Sequence, residues 1–143
     1  MRWISLRSFV IGNFLSVALS FISFLVLSLV GIAVRPAGIS IQDAVDQMPS
    51  VGWYNLLLPI LGGLSLMVSG YIAAKLARRH LLLNGFLATT LLTAFNIYVG
   101  LMHDHTDFRD TAIVLVCWSS PFSALAGAYL RLLEAKKLKA KVV

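Results

Sequence analysis

Apolar residues in this chain do not alternate with polar ones. They gather into four long blocks separated by short polar segments, at about residues 9–34, 55–74, 81–102 and 112–130. About 20 apolar residues in helix suffice to cross ~30 Å of hydrocarbon, and the first block has length to spare for tilt. The pattern predicts an all-α chain in a single domain, an integral membrane bundle of four helices, with residues 131–143 as a polar tail. The opening, Met1 to Arg7, has the basic character of a signal peptide. The run that follows is too long for a signal core and ends in Arg35-Pro36 instead of small residues, so it is read as a retained helix.

The segment between the first two blocks carries its own pattern. Ser40-Ile41-Gln42-Asp43 has capping-box spacing. Ile41, Ala44, Val45 and Met48 then fall on one helical face before Pro49 stops the run. Two readings stay open: a short amphipathic helix on the outer membrane surface, or an ordered loop with one helical turn.

Composition agrees with the blocks. Of the 143 residues, 59% are hydrophobic and 13% charged, too few charges to cover a water-facing surface. The charges are also unevenly placed. Ten of the twelve Lys and Arg flank one side of the spans, and only Arg35 and Arg109 flank the other. The acids reverse this: Asp43, Asp46, Asp104, Asp107 and Asp110 fall with the minority, and Glu134 alone with the majority. The positive-inside rule then places both termini in the cytoplasm. A net charge of +6 could suggest nucleic acid, but these cations bracket apolar spans, so anionic lipid headgroups are the expected counter-charge and no nucleic-acid partner is expected. Arg78, Arg79, Lys136, Lys137, Lys139 and Lys141 are the candidate headgroup contacts, with protein docking by the basic tail as the alternative. Cys117 is the single cysteine, so neither an internal disulfide nor a thiol pair is available.

Small residues recur at four-residue spacing in each block: Gly12, Ser16 and Ser20; Ser65, Ser69 and Ala73, beside Gly70; Gly85, Thr89 and Thr93; Ser123 and Gly127. Helices in lipid associate through close backbone approach and hydroxyl bonding, which such residues permit. The stripes either pack the chain's own helices or leave one face for another subunit. Asn13, Asn84 and Asn96 are the most polar side chains within or at the edges of the blocks, and no ionisable residue lies mid-block. Ion-coupled transporters generally need such a group. Asn96 beside Thr93 reads as an interhelical hydrogen bond or as part of a polar path. Pro59 and Pro121 remove backbone donors and should kink or loosen their helices.

The one cluster with metal-ligand chemistry is His103, His105 and Asp107. Spacing supplies no fixed further ligand, and Asp107-x-x-Asp110 also reads as the N-cap of the fourth helix. No metal site or cofactor is therefore expected. No nucleophile–base spacing, zincin motif or phosphate loop occurs either. Weak similarity between Phe14-Leu15-Ser16 and Phe86-Leu87-Ala88, and between the Gly-Tyr ends of blocks two and four, is compatible with two parallel helical hairpins.

The segment Ser69-Gly70-Tyr71-Ile72-Ala73-Ala74-Lys75-Leu76-Ala77-Arg78-Arg79-His80, with Leu81-Leu82-Leu83-Asn84-Gly85, resembles the central hairpin of small four-helix bacterial inner-membrane proteins. The resemblance implies a bacterial inner-membrane location and a four-helix fold, and no activity. The expected role is non-enzymatic: an accessory, assembly or regulatory component acting through helix–helix contacts with a partner membrane protein or with further copies of itself. The rival expectations are a small oligomeric channel, a passive transporter or a holin-like pore, and, third, an enzyme built on the His103–Asp110 loop.

Overall fold

A computed structural model describes residues 4–47, 51–77, 79–102 and 111–140, with side chains at 55, 99–102, 111–118 and 139 outside the description. The described residues are mostly helical, and none among them is in a strand. Helix α1 is Leu6–Ala33, α2 Ile41–Gln47, α3 Gly52–Leu76, α4 Leu81–Phe86, α5 Thr90–Met102 and α6 Thr111–Ala140. A 3₁₀ turn, Leu87–Thr89, joins α4 to α5. Three stretches, Leu6–Ala33, Gly52–Leu76 and Leu81–Tyr98, are long and apolar enough to cross a membrane.

Local chemistry sets several of the ends. Ser5 caps α1 by accepting the Ser8 N–H on its hydroxyl, and the helix stops at Val34, just before Arg35-Pro36. Gly38 then turns the chain at φ +94°, a conformation glycine adopts without a Cβ clash. The Ser40 hydroxyl accepts the Asp43 N–H at 3.1 Å and donates to the Asp43 carboxylate at 2.6 Å, which starts α2. The short helix expected there is present; Ala44 is its buried residue, while Ile41 and Val45 are exposed. Pro59 and Pro121 lie inside helices that continue through them. The basic segment 131–140, read from sequence as a tail, continues α6 as helix.

Side-chain and backbone approaches fix how the elements run. α1 and α3 are antiparallel: Ser8 reaches Ala73 at one end, and Leu27 packs with Tyr54 at the other. α3 and α6 run the same way, with Gly63 near Ser123 and Tyr71 bonded to Glu134. α1 and the α4–α5 segment also run the same way, joined by Ser5 to Asn84 and Asn13 to Leu91. Ser5, Ala73, Asn84, Ala128 and Glu134 therefore gather at one end, here called the basic end.

Burial is inverted relative to a water-soluble protein. Among the described residues the largest fully buried side chains are Asn13, Asn84, Thr89, Ser8, Ser16 and Ser69. Phe14 is 72% exposed, Phe21 61% and Phe95 60%. Polar groups inside and large apolar groups outside is the arrangement expected where the surrounding solvent is hydrocarbon. A small apolar cluster, Leu27 and Tyr54 with Ile32, Val51, Leu58 and Leu61, closes α1 against α3 at the far end.

Candidate functional site

The densest polar structure lies within the basic end and is organised by two asparagines. Asn13 sits two turns into α1 and is 1% exposed. Its Nδ2 donates to the Phe9 carbonyl of its own helix and to the Leu87 carbonyl, both at 2.9 Å. Its Oδ1 accepts the Leu91 N–H at 2.9 Å. Leu87 C=O and Leu91 N–H are the pair that would bond each other in an unbroken α-helix. The carboxamide of Asn13 bonds both groups, and the chain there tightens into the 3₁₀ turn Leu87–Thr89, in which Leu87 C=O also accepts the Thr90 N–H. The Thr90 hydroxyl shares the work, donating to Leu87 C=O at 2.9 Å. Three contacts with backbone groups of known polarity fix which end of the amide is oxygen.

Asn84 does a related job at the edge of the node. Its Oδ1 accepts the Ser5 N–H at 2.9 Å, and its Nδ2 donates to the carbonyls of His80 and Arg79 at 3.0 and 3.2 Å. His80 is left-handed, at φ 52°, a region where histidine is several-fold enriched among non-glycine residues. Asn84 thus ties the start of α1 to the turn between α3 and α4. Ser8 adds a hydroxyl bond to the Ala73 carbonyl. In the absence of water each of these backbone groups needs a partner, and the asparagines provide several of them.

Glycines bring the backbones close enough for this network. A Cβ on Gly12 would lie 2.7 Å from that of Ala88 and 2.9 Å from that of Ala73, so three elements meet at one point. A Cβ on Gly70 would overlap the Ala124 backbone, one on Gly127 the Met67 carbonyl, and one on Gly85 the Ala128 side chain. Of the other small positions marked in the sequence, Ser16, Ser69, Ala73 and Thr89 are buried, and Ser20, Ser65, Thr93 and Ser123 are partly buried. Ser65 bonds Ser23 across α1 and α3 at 2.9 Å. Among the described residues the Thr93 hydroxyl is the buried side-chain polar atom without a partner, and Asn96 is half-buried one turn on.

At the basic end, the Tyr71 hydroxyl donates to Glu134 at 2.6 Å, and Arg131 pairs with the same oxygen at 2.8 Å. The Tyr71 hydrogen bond, then Arg131 and Lys75, hold the Glu134 carboxyl below its ordinary range. Arg79, Lys136 and Lys137 are exposed at this end; Arg78, Lys141 and the Lys139 side chain lie outside the description. So do His103, His105 and Asp107. Among the described residues no three His, Cys, Asp or Glu converge on a point where a metal could sit.

The sequence marks Asn13 and Asn84 as polar oddities in apolar surroundings, but not their targets. Ser5 and Ser8 carry no signal beyond being small and polar near a helix start. No family model, curated protein or solved structure matches this chain.

Proposed function

We propose that this chain is a four-helix integral protein of the bacterial inner membrane, with both termini cytoplasmic, and that it works without catalysis. Its role is that of an accessory, assembly or regulatory component acting through helix–helix contacts. The observation that carries this reading is the inversion of the core. The buried asparagines, serines and threonines of the spans are largely committed to bonds inside the chain, while Phe14, Phe21 and Phe95 face outward. A protein built this way offers neighbours a shaped apolar surface. Arg79, Lys136 and Lys137 supply the cationic rim for anionic headgroups.

A second reading has one observation in its favour. The unpartnered Thr93 hydroxyl with Asn96 nearby suits a polar path completed by further copies, as in a small oligomeric channel, passive transporter or holin-like pore. Against it, the Leu87 carbonyl and the Leu91 N–H at the 3₁₀ turn are already bonded, by Asn13 and Thr90.

Mass measurement of the full chain purified in mild detergent separates the two. A monomer that co-purifies with a different membrane protein supports the accessory role. A stable homo-oligomer of fixed size overturns it in favour of the channel.

A further inference from the structure

The 3₁₀ turn in the α4–α5 segment is not marked by a helix-breaking residue where it occurs. Leu87-Ala88-Thr89-Thr90-Leu91 contains neither glycine nor proline, and its own contribution to the turn is the Thr90 hydroxyl, which bonds back to the Leu87 carbonyl. To this is added Asn13, more than seventy residues earlier, whose amide donates to Leu87 C=O and accepts from Leu91 N–H. If that amide withdraws, the two ladder groups can bond each other, and Asn13 keeps its Nδ2 bond to Phe9 within α1. Both arrangements satisfy the backbone internally, so neither is forbidden in hydrocarbon. Thr90 is placed to ease the exchange, since its hydroxyl already reaches both Leu87 C=O and, at 3.4 Å, Asn13 Oδ1.

Packing on the two sides of the break is unequal. Before and within it, Asn84, Gly85, Ala88 and Thr89 are buried against α1, α3 and α6. Beyond it, Leu91, Phe95 and Tyr98 are each more than half exposed. The α4 side is packed more deeply than α5, whose Leu92, Thr93 and Asn96 are partly buried, so a change in the ladder at Leu87–Leu91 would displace α5 more readily than α4.

We propose that the α4–α5 segment is a two-state hinge and that Asn13 is its latch. With the amide inserted the segment carries its 3₁₀ turn and α1 is coupled to α5; with it withdrawn the segment becomes regular α-helix and α5 takes a new direction. Short 3₁₀ stretches inside longer helices often mark hinges, and changes of helix register run on microsecond to millisecond times. The hinge rests on bond geometry and not on the accessory role, so its failure would leave that role standing.

Relaxation-dispersion NMR on the full-length ¹⁵N-labelled chain in lipid-like micelles tests it. The wild type should show millisecond-range exchange at the amides of Leu87 to Thr93 and little at the amides of α3. In Asn13→Leu, which cannot insert an amide, the dispersion should vanish and the Leu91 amide should shift to the minor-state position. Asn13→Ser, too short to span the gap, should behave the same way if the leucine variant does not fold. Flat wild-type profiles at these amides overturn the hinge, as does dispersion that survives in either variant.

Discussion

The side-chain carbonyl of Asn13 accepts the backbone N–H of Leu91 at 2.9 Å, while the same amide donates to the Leu87 carbonyl, the group one helical turn earlier. An α1 side chain is thereby part of the hydrogen-bond ladder of another helix. Substitutions at residue 13 should be ranked by what they do to that ladder more than by size.

Asn13→Leu should cost little, on the order of 1 kcal/mol, because Leu87 and Leu91 can bond each other once the amide is gone and single interhelical bonds in lipid are modest. Asn13→Asp should cost more, about 2.5–3.5 kcal/mol, since a carboxylate has no proton for Phe9 or Leu87 C=O and adds charge among apolar neighbours. Unfolding in a denaturing-detergent titration measures both. Equal losses would mean that the amide's two ends are not separately used.

The glycines should divide by what stands opposite them. Gly70 faces the Ala124 backbone, which cannot move aside cheaply, so Gly70→Leu should destabilise by about 1–3 kcal/mol or more. At Gly62 an added Cβ would meet nothing within 4 Å, so Gly62→Ala should be neutral or stabilise by up to about 1 kcal/mol through helix propensity. Leu57→Phe, on an exposed position, serves as the surface control. Melting temperatures in detergent give the order, and a Gly70→Leu melt equal to the Leu57→Phe melt contradicts it.

Much of the fold is legible in the sequence because lipid-compatible helices are long, uniform and bounded by charge. The Ser40 and Asp43 spacing marks the start of α2, and the small residues at Gly12, Gly70, Gly85 and Gly127 fall where the structure brings backbones together. The 3₁₀ turn at Leu87–Thr89 is not legible, because no glycine or proline marks it and the Asn13 amide that bonds it comes from α1. Pro59 and Pro121 are the visible helix breakers, yet both helices run through them. The far end of α6 reads as tail because its lysines look like a solvated run, whereas Glu134, held by Tyr71 and Arg131, fastens that helix to α3.

Asn84 should be the more costly asparagine to truncate. Asn84→Ala removes the acceptor for the Ser5 N–H and the donor to His80 and Arg79, and α1 and α4 would lose a shared clamp. A loss of about 1–3 kcal/mol is expected, with faster amide exchange at residues 5–8 than elsewhere in α1. Uniform exchange along α1 in this variant would show that the clamp does not hold its start.

Glu134 gives a pH dependence of defined sign. Its folded pKa is lowered, chiefly by the Tyr71 hydrogen bond and then by Arg131, so the stability it contributes is complete above its unfolded value near 4.5. That contribution is lost as pH falls through the lowered folded value. Tyr71→Phe should move the Glu134 pKa back up toward the ordinary range, as read from a carboxyl ¹³C titration. An unchanged titration would show that the hydrogen bond does not persist in solution.

A membrane-embedded bundle with its basic end in the cytoplasm is the central claim, since the lipid contacts and the orientation of every helix depend on it. Reporter fusions after Gln47 and after Lys141 test it in cells, using a pair of reporters active on opposite sides of the membrane. The expected result is a periplasmic signal at Gln47 and a cytoplasmic signal at Lys141. A cytoplasmic signal at Gln47 or a periplasmic one at Lys141 contradicts it.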